Sequence, residues 1–377
     1  MDLSLTEEQE MIKSATREFV QQECDKRTLL ALDKTETGFS PETWKKAAEL
    51  GWLGMFVPEQ YGGEGTCLTD VAVLFEELGR APVFGPFFSS GVLSNLIILE
   101  AGTEEQKQQI LPTISKGERI VTLAVTEPDY GWGPESVRMT AEPKNGGFVL
   151  NGVKLFVYDA VGSSHFICAV RTAQGGSPSD GVTLLMVDKQ SPGISVRTLP
   201  GWLTRCAEVK FESTEVPASA VLGEIGQGWP ALERAFMKAT PILCAYMVGG
   251  CQSVFDMSVE YSRTRIQFGQ PIGRFQRVQD HIIDLSLRMD PARWTTYEAV
   301  SKLDAGKPDV ASSVHLAKIV ASEGYHWACL HAHEVTAGTG STIEFGLVLH
   351  TRLSRTLFDY LGGPDFHRER LAEVLAL

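Results

Sequence analysis

The feature that most constrains the fold is a change of sequence periodicity that occurs twice along the chain. Residues 1–120 carry helical signals. Thr6-Glu7-Glu8-Gln9 and Thr103-Glu104-Glu105-Gln106 both have the form of a capping box, and apolar residues follow each at helical spacing. Ser40-Pro41 adds an N-cap with proline at the first helical position. We therefore predict an N-terminal α-helical domain over residues 1–120.

Residues 121–225 are instead typical of a β domain. Asn145-Gly146-Gly147 and Asn151-Gly152 separate short apolar runs, as hairpin turns would. Several short strands at this spacing predict a compact barrel or sandwich of about 100 residues. The predicted strands are 120–125, 148–150, 154–158, 166–170, 182–187, 194–199 and 207–211.

Residues 226–377 return to the helical period in long segments. Prolines 271, 291 and 308 are expected to bend or break these helices. The segments predict a C-terminal α-helical bundle and subunit packing, so the fold class is α+β with three domains. The predicted helices run roughly over 229–263, 275–305, 309–336 and 342–361.

The net charge and the spacing of the cysteines bear on which partners, cellular location and metal sites to expect. The 377-residue chain has a formal net charge of −13, which argues against nucleic acid or an anionic membrane as the main partner. The seven cysteines form no CxxC pair, so we expect reduced thiols, a cytoplasmic location and no metal site. His326, His331 and His333 are interpreted as packing or surface groups. We expect neither a signal peptide nor a membrane span.

Five motifs in sequence order carry a resemblance to a known family. They are Val125-Thr126-Glu127-Pro128, Leu150-Asn151-Gly152-Val153-Lys154-Leu155-Phe156, the segment 216–224, Gly226-Gln227-Gly228-Trp229, and the segment 261–273 with Phe275-Gln276. With these motifs the chain resembles the acyl-CoA dehydrogenase family over essentially its whole length. The tail, 361–370, resembles a divergent bacterial branch of that family.

The resemblance implies that FAD lies between the middle domain and the C-terminal bundle. It implies that Arg265 reaches the FAD of a neighbouring subunit, a task suited to guanidinium because it stays charged and bonds a pyrophosphate in bidentate fashion. Thr126, Phe156 and Tyr158 would face the flavin ring. The implied cofactor-binding residues are Val125, Thr126, Phe156, Tyr158, Arg265, Gln267, Phe268, Gln276, Glu334, Gly338 and Gly340.

These residues also have purely structural explanations. Arg265 would form a salt bridge at a helix end. Thr126 would lie at the end of a strand that is followed by a turn. Phe156 and Tyr158 would be alternate residues of one strand, with both side chains packed in a hydrophobic core. Glu334 stands where relatives have a glutamine near FAD, and an anion near a pyrophosphate is unfavourable.

Glu344 is the catalytic base that the resemblance implies. It follows the Gly-rich run 337–341, and the segment 236–240, which carries the base in some relatives, has no carboxylate. The alternative is that Ser341-Thr342-Ile343-Glu344 is a capping box, in which a glutamate needs no further explanation. The implied substrate contacts are Trp132, Thr240 and Phe345. Trp132 falls where relatives have a serine that binds the thioester, so the acyl pocket would be reshaped.

The predicted function is FAD-dependent α,β-dehydrogenation of an acyl-CoA thioester to the 2-enoyl-CoA, with electrons passed to an electron-transferring flavoprotein. Trp132, Glu334 and the tail leave two alternatives open. One is a catalytically reduced subunit of a hetero-oligomeric acyl-CoA dehydrogenase. The other is a redox-neutral homologue acting on acyl-CoA. The assembly expected is a homotetramer, or a heterotetramer with a related subunit.

Overall fold

The fold is taken from a computed structural model that describes residues 5–173 and 176–377. Helical and strand segments alternate in blocks, as the periodicity predicts. The α-helices are α1 (Glu7–Glu23), α2 (Lys26–Leu32), α3 (Pro41–Glu49), α4 (Leu68–Arg80), α5 (Asn95–Ala101), α6 (Glu104–Ser115), α7 (Gly228–Thr264), α8 (Gln276–Asp304), α9 (Val310–Thr336), α10 (Leu347–Phe358) and α11 (Pro364–Val374).

The strands occupy the middle of the chain, apart from one short hairpin within the C-terminal block. They are β1 (Val121–Ala124), β2 (Ala141–Lys144), β3 (Gly147–Val157), β4 (His165–Arg171), β5 (Val182–Asp188), β6 (Ile194–Thr198), β7 (Ala207–Pro217), β8 (Ile266–Gln267) and β9 (Gln270–Pro271). A π-helical segment covers Ser89–Ser94. Single 3-10 turns cover Trp52–Gly54, Glu59–Tyr61, Pro134–Ser136, Ala218–Ala220, Ile272–Arg274 and Ala337–Ser341.

The chain divides into two compact units. The sandwich unit comprises residues 32–66 and 84–239, and the bundle unit comprises residues 1–31, 67–83 and 240–377. The three domains predicted at 1–120, 121–225 and 226–377 therefore differ from this division, because the N-terminal helices are shared between the units. Helix α7 contains the boundary at residue 240.

Two sheets form the core of the sandwich unit. One has the strand order β1-β4-β5 and the other β2-β3-β7-β6, with β1 and β4 parallel and the remaining pairs antiparallel. Phe166 and Leu185 from the first sheet and Val209 and Phe211 from the second belong to one buried cluster. Buried and exposed residues alternate along part of β7, whereas β1 and β4 are buried almost throughout, and the two sheets form a sandwich, one of the two architectures predicted.

The two predicted hairpin turns have different outcomes. Asn145-Gly146 does connect β2 to β3, in the left-handed conformation that such turns need (φ 50° and 78°). Asn151-Gly152 lies inside β3, where the pairing with β7 shifts register between Leu150 and Gly152. The prediction of a turn there was wrong, because a glycine within a strand can mark a bulge as well as a turn.

The bundle unit is built on close helix contacts. A Cβ atom at Gly249 of α7 would lie 1.8 Å from the carbonyl oxygen of Glu76 on α4, so the two backbones touch directly. Pro291 lies inside α8, which is continuous over nearly the whole of the predicted segment 275–305. Helix α10 covers Leu347–Phe358, which is shorter than the predicted 342–361.

Helix α7 is long and apolar enough to cross a membrane by composition, and it alone passes that test among the described residues. Of its most apolar window, 67% is buried within the protein. A mostly buried helix of this kind is typical of the core of a globular protein, since most of its apolar surface already lies inside the protein.

Candidate functional site

The loop that follows β1 contains a buried ion pair. Lys154 Nζ on β3 lies 2.7 Å from Glu127 Oε1, and the Lys154 side chain is fully buried. The Glu127 carboxylate also accepts hydrogen bonds from the backbone N–H groups of Arg138 and Met139 at 2.9–3.1 Å. Lys154 Nζ donates a second bond to the carbonyl of Val125 (3.2 Å). The carboxylate therefore ties this loop to two other segments of the sandwich unit.

Thr126 lies at the centre of that loop. Its carbonyl accepts a hydrogen bond from Leu155 N (2.8 Å), so the loop continues the edge of β3. Thr126 is only 8% exposed, yet within residues 5–173 and 176–377 its hydroxyl makes no side-chain hydrogen bond. A nearly buried hydroxyl in this condition can bond a ligand that enters beside the strand.

Phe156 interrupts the regular geometry of β3. Its φ is 50°, in the left-handed region that bulky residues rarely adopt, and the pairing with β7 shifts register between Lys154 and Val157. The irregularity frees Phe156 from strict alternation, and its side chain is half-buried. Such local strain is often retained where a side chain must be aimed at a ligand.

Four aromatic side chains form an uninterrupted row around Phe156. The ring of Tyr130 lies 5.5 Å from that of Trp132 and 6.2 Å from that of Phe156, and the ring of Trp202 lies 5.6 Å from that of Phe156. All three contacts are T-shaped. We call Trp132, Tyr130, Phe156 and Trp202 the aromatic row. Tyr130 is 50% exposed, with a left-handed φ of 47°.

Tyr158 and Asp159 follow the bulge and are buried. Tyr158 is 8% exposed, and its carbonyl accepts a bond from the Thr122 hydroxyl (2.7 Å). Burial raises the pKa of Asp159 to about 6, against smaller opposing effects of the Ser89 hydroxyl bond (2.6 Å) and the nearby Arg205 charge. That the Tyr158 hydroxyl faces a cofactor stays a prediction.

In the bundle unit, the hairpin of β8 and β9 presents an exposed group of predicted cofactor residues. Arg265 is exposed and forms no ion pair with any described residue. Phe268 at the hairpin tip is 93% exposed, and its ring contacts Phe275 at 6.0 Å. Gln267 lies on β8, and Gln276 is the exposed first residue of α8. The hairpin and the residues that flank it therefore present a charged side chain, an apolar side chain and two amide side chains to solvent.

Glu344 is not a helix-capping residue. Helix α10 begins three residues later, at Leu347, with Gly346 in the left-handed conformation before it (φ 96°). The run Ala337–Ser341 is a 3-10 turn, and Thr342 is extended. The predicted capping box at Ser341–Glu344 does not form, so the structure removes capping as an explanation for the glutamate. Its side chain is exposed in the single chain.

Contacts on both sides fix the turn that carries Glu344. Lys26 Nζ donates a hydrogen bond to the Glu344 carbonyl (2.5 Å). The ring of Phe345 contacts that of Tyr261 at 5.6 Å, and the Tyr261 hydroxyl donates to Thr339 Oγ1 (3.1 Å). The carboxylate is thus presented by a turn whose backbone is held in place within the bundle unit.

The remaining predicted residues differ in exposure. Gly338 has open space around its Cα, whereas a Cβ atom at Gly340 would lie 2.1 Å from Thr336 Oγ1, so packing explains the second glycine. Glu334 is exposed on the last turn of α9. Thr240 is 2% exposed in α7. Their cofactor and substrate roles stay predictions.

Sequence reasoning missed three residues of this arrangement. Lys26 lies in no motif, and Lys154 lies in a motif that assigned it no role, because the partners of both are distant in sequence. Trp202 follows Gly201 in a predicted loop, and a large aromatic residue in a turn was the available signal. No group of three or more His, Cys, Asp or Glu side chains in the described part of the chain is arranged to hold a metal ion.

Comparison with known proteins identifies three adjacent domain types. The acyl-CoA dehydrogenase N-terminal domain matches residues 6–118, the middle domain matches 122–213, and the C-terminal domain matches 226–376. These matches span nearly the whole chain in the order that the sequence motifs indicated.

Individual relatives share about three residues in ten with the chain. Acryloyl-CoA reductase (NADH) of Anaerotignum propionicum is 30% identical, with 99% of this chain and 95% of the relative covered. L-prolyl-[peptidyl-carrier protein] dehydrogenase of Serratia sp. (strain ATCC 39006) is 32% identical, with 90% and 89% covered. The probable acyl-CoA dehydrogenase YngJ of Bacillus subtilis (strain 168) is 30% identical over the full length of both chains.

Solved structures of similar fold match the chain over its full length. The FAD complex of PigA has a TM-score of 0.91 at 29% identity, and acyl-CoA dehydrogenase from Geobacillus kaustophilus has 0.92 at 26%, each covering 100% of both chains. A chain in the structure titled electron transferring flavoprotein of Acidaminococcus fermentans has 0.90 at 25%, covering 100% of this chain and 99% of the other.

Proposed function

Because this chain belongs to the acyl-CoA dehydrogenase family, we propose that it catalyses the FAD-dependent α,β-dehydrogenation of an acyl-CoA thioester. The product is the 2-enoyl-CoA, and the electrons pass to an electron-transferring flavoprotein. The observation that carries the proposal is the position of Glu344. With capping removed as its role, an exposed carboxylate remains on a fixed turn next to Phe345. We place this chemistry in the cytoplasm, in a tetramer.

The sandwich unit supplies groups that fit a flavin. The nearly buried Thr126 hydroxyl is available to bond the ring system, and Val125 lies beside it. Phe156 offers an aromatic face held at a fixed angle by its left-handed backbone. Aromatic faces and fixed hydrogen-bond donors are the groups that orient a planar cofactor. When bound, FAD supplies the acceptor for the hydrogen that leaves Cβ as hydride.

The bundle unit supplies groups that fit the phosphates. The exposed guanidinium of Arg265 is available for a bidentate bond, and Gln267, Phe268 and Gln276 lie on the same element or beside it. Backbone at Gly338 can approach a ligand closely because no side chain stands there. In an oligomer the protruding hairpin would serve the cofactor of a neighbouring subunit.

Glu344 takes the α-proton of the thioester. The turn that carries it fixes the carboxylate, and a fixed base supplies much of the rate because its geometry needs no further ordering. Backbone N–H groups of the same turn are candidates to stabilise negative charge that develops on the thioester carbonyl. Trp132, Thr240 and Phe345 would contact the acyl group.

The test of this proposal is the Glu344→Gln variant. Wild-type protein should be purified with bound FAD, and its flavin should bleach anaerobically when the correct acyl-CoA from a substrate panel is added. Glu344→Gln should retain FAD and lose bleaching by several orders of magnitude. Glu369→Gln, which removes an exposed carboxylate of α11, is the matched control. Normal bleaching by Glu344→Gln would refute the base assignment.

A thioester on a carrier protein is the second candidate substrate. It is favoured by the similarity to L-prolyl-[peptidyl-carrier protein] dehydrogenase and to the PigA complex with FAD and proline. The same bleaching assay decides between the candidates when prolyl-carrier protein is compared with the acyl-CoA panel. Protein that gains flavin only when a related subunit is co-expressed would instead support a catalytically reduced subunit.

A further inference from the structure

We infer that Trp202 is a cofactor-contacting residue, which extends the flavin-facing surface that begins at Phe156. The inference rests on the proposed function, because it takes Phe156 to face the flavin. It adds a residue from the loop between β6 and β7, which no motif of the sequence placed in the site.

The first observation is the geometry of the aromatic row. The rings of Phe156 and Trp202 lie 5.6 Å apart at an interplanar angle of 64°. A planar ring that stacks on the face of one of them therefore presents its edge to the other. Offset-stacked and edge-to-face contacts are the arrangements that aromatic rings prefer. The pair offers both kinds of contact to a single flat ligand.

The second observation is the rigidity of the loop that carries Trp202. The Arg205 guanidinium donates hydrogen bonds to the carbonyls of Asp33 (2.6 Å) and Thr35 (2.9 Å). The backbone closes on itself where Leu199 N donates to the carbonyl of Cys206 (2.8 Å). Leu203, next to Trp202, is fully buried. The indole is therefore presented from a loop that is held on both sides.

The third observation is the partial exposure of Trp202 in this rigid setting. Gly201 has a φ of 95°, and this left-handed turn places Trp202 at the surface while Leu203 enters the core. A loop that can bury Leu203 completely leaves its largest apolar side chain half-exposed beside Phe156. Trp202 is also contiguous with the rest of the aromatic row, and contiguous exposed apolar surface, unlike a single exposed residue, marks interaction sites and ligand-binding grooves. The isoalloxazine ring is the flat aromatic ligand that the proposed function supplies.

The experiment compares Trp202→Leu with Phe156→Leu in the holoenzyme. Trp52→Leu, which removes another partly buried tryptophan of the sandwich unit, is the matched control. For each variant the dissociation constant for FAD, the visible absorption bands and the fluorescence per bound flavin are measured. Thermal unfolding of the FAD-free protein reports whether each variant is folded.

Trp202→Leu should weaken FAD binding about tenfold, shift the flavin absorption bands and increase flavin fluorescence, because a neighbouring indole quenches it. Trp202→Phe should recover most of the affinity, and Trp52→Leu should change none of these quantities.

Wild-type FAD affinity and spectra in Trp202→Leu, with altered values in Phe156→Leu, would overturn the inference and leave the proposed function intact. An altered KM for acyl-CoA with an unchanged flavin would also overturn it, since Trp202 would then contact the substrate. Unchanged flavin properties in both variants would instead contradict the proposed flavin site.

Discussion

Lys154 Nζ lies 2.7 Å from the carboxylate of Glu127 in an environment that excludes nearly all solvent, with side-chain exposures of 0% and 10%. The two residues belong to separate motifs of the sequence, and their pairing joins the loop after β1 to β3. Because Thr126 lies between the bonded residues Val125 and Glu127, the pair also fixes the proposed flavin contact.

We predict that Lys154→Met destabilises the protein by roughly 3–5 kcal/mol, because it leaves the buried Glu127 charge without its partner. Urea denaturation of the FAD-free protein measures the loss. Lys144→Met is the control: its partner Glu215 is also 2.7 Å away, but both side chains are exposed. That variant should lose no more than about 1 kcal/mol.

The double variant Lys154→Met, Glu127→Gln separates charge from geometry. Removing both charges should recover part of the stability, since an uncompensated charge is the main penalty. FAD binding should remain weaker than in the wild type, because the bond to the Val125 carbonyl is also lost. Equal losses for Lys154→Met and Lys144→Met would contradict the buried-pair argument.

Asp159 should make the stability depend on pH. Its folded pKa of about 6 lies above the ordinary value of 3.8, because burial disfavours the charge. The folded state therefore holds the proton more strongly than the unfolded state does. This contribution is fully present below pH 3.8 and is lost as pH rises to about 6, a difference of roughly 3 kcal/mol.

The Asp159→Asn variant tests this linkage, because asparagine can still accept the Ser89 bond and cannot ionise. The wild type should lose stability from pH 4 to pH 6.5 and the variant should not lose this contribution. The free energy of unfolding of the variant should therefore increase relative to that of the wild type over this range. Asp188→Asn, at an exposed position of the same unit, is the control. A difference that does not change with pH would show that folding does not raise the pKa of Asp159.

Much of the architecture could be predicted because its signals are local. Capping boxes marked the starts of α1 and α6, and both form. The same signal failed at Ser341–Glu344, where the helix begins only at Leu347. A capping box is a pattern of four residues only. Here a 3-10 turn begins before it at Ala337, and the left-handed φ of 48° at Ala337 is not indicated by any sequence pattern.

The site was predicted where a motif marks it and missed where only the fold brings residues together. Thr126 and Phe156 were found from separate motifs, and the structure connects their strands through the Thr126 carbonyl and Leu155 N. The ring of Trp202 contacts that of Phe156, although the two residues are 46 positions apart in the sequence. Contacts at such separation are set by strand pairing and loop anchoring, which the local pattern does not encode.

Phe268 should be replaceable by asparagine without harm to the fold. The two-residue turn Phe268-Gly269 has left-handed φ values of 51° and 79°, for which Asn-Gly is the preferred sequence. We predict that Phe268→Asn has an equal or higher melting temperature and retains less FAD after dialysis. Phe268→Tyr, which keeps the aromatic ring, is the control and should retain FAD. Undiminished retention in Phe268→Asn would exclude a cofactor contact at the hairpin tip.

Lys26 should influence catalysis through the turn that carries Glu344. Its Nζ donates to the Glu344 carbonyl at 2.5 Å, and its Cδ lies 2.9 Å from where a Cβ atom of Gly346 would stand. We predict that Lys26→Met lowers kcat several-fold, with FAD content and melting temperature unchanged, because the base loses part of its orientation.

The control for this prediction is Lys13→Met, which removes a partly exposed lysine of α1 whose Nζ lies 3.5 Å from Glu10. Stopped-flow measurement of anaerobic flavin bleaching isolates the proton-abstraction step from substrate binding. Lys26→Arg, which can still donate to the carbonyl, should recover part of the rate. Equal bleaching rates in Lys26→Met and Lys13→Met would show that the turn holds Glu344 without Lys26. In that case the contacts of Phe345 with Tyr261, and of Tyr261 with Thr339, suffice to orient the base.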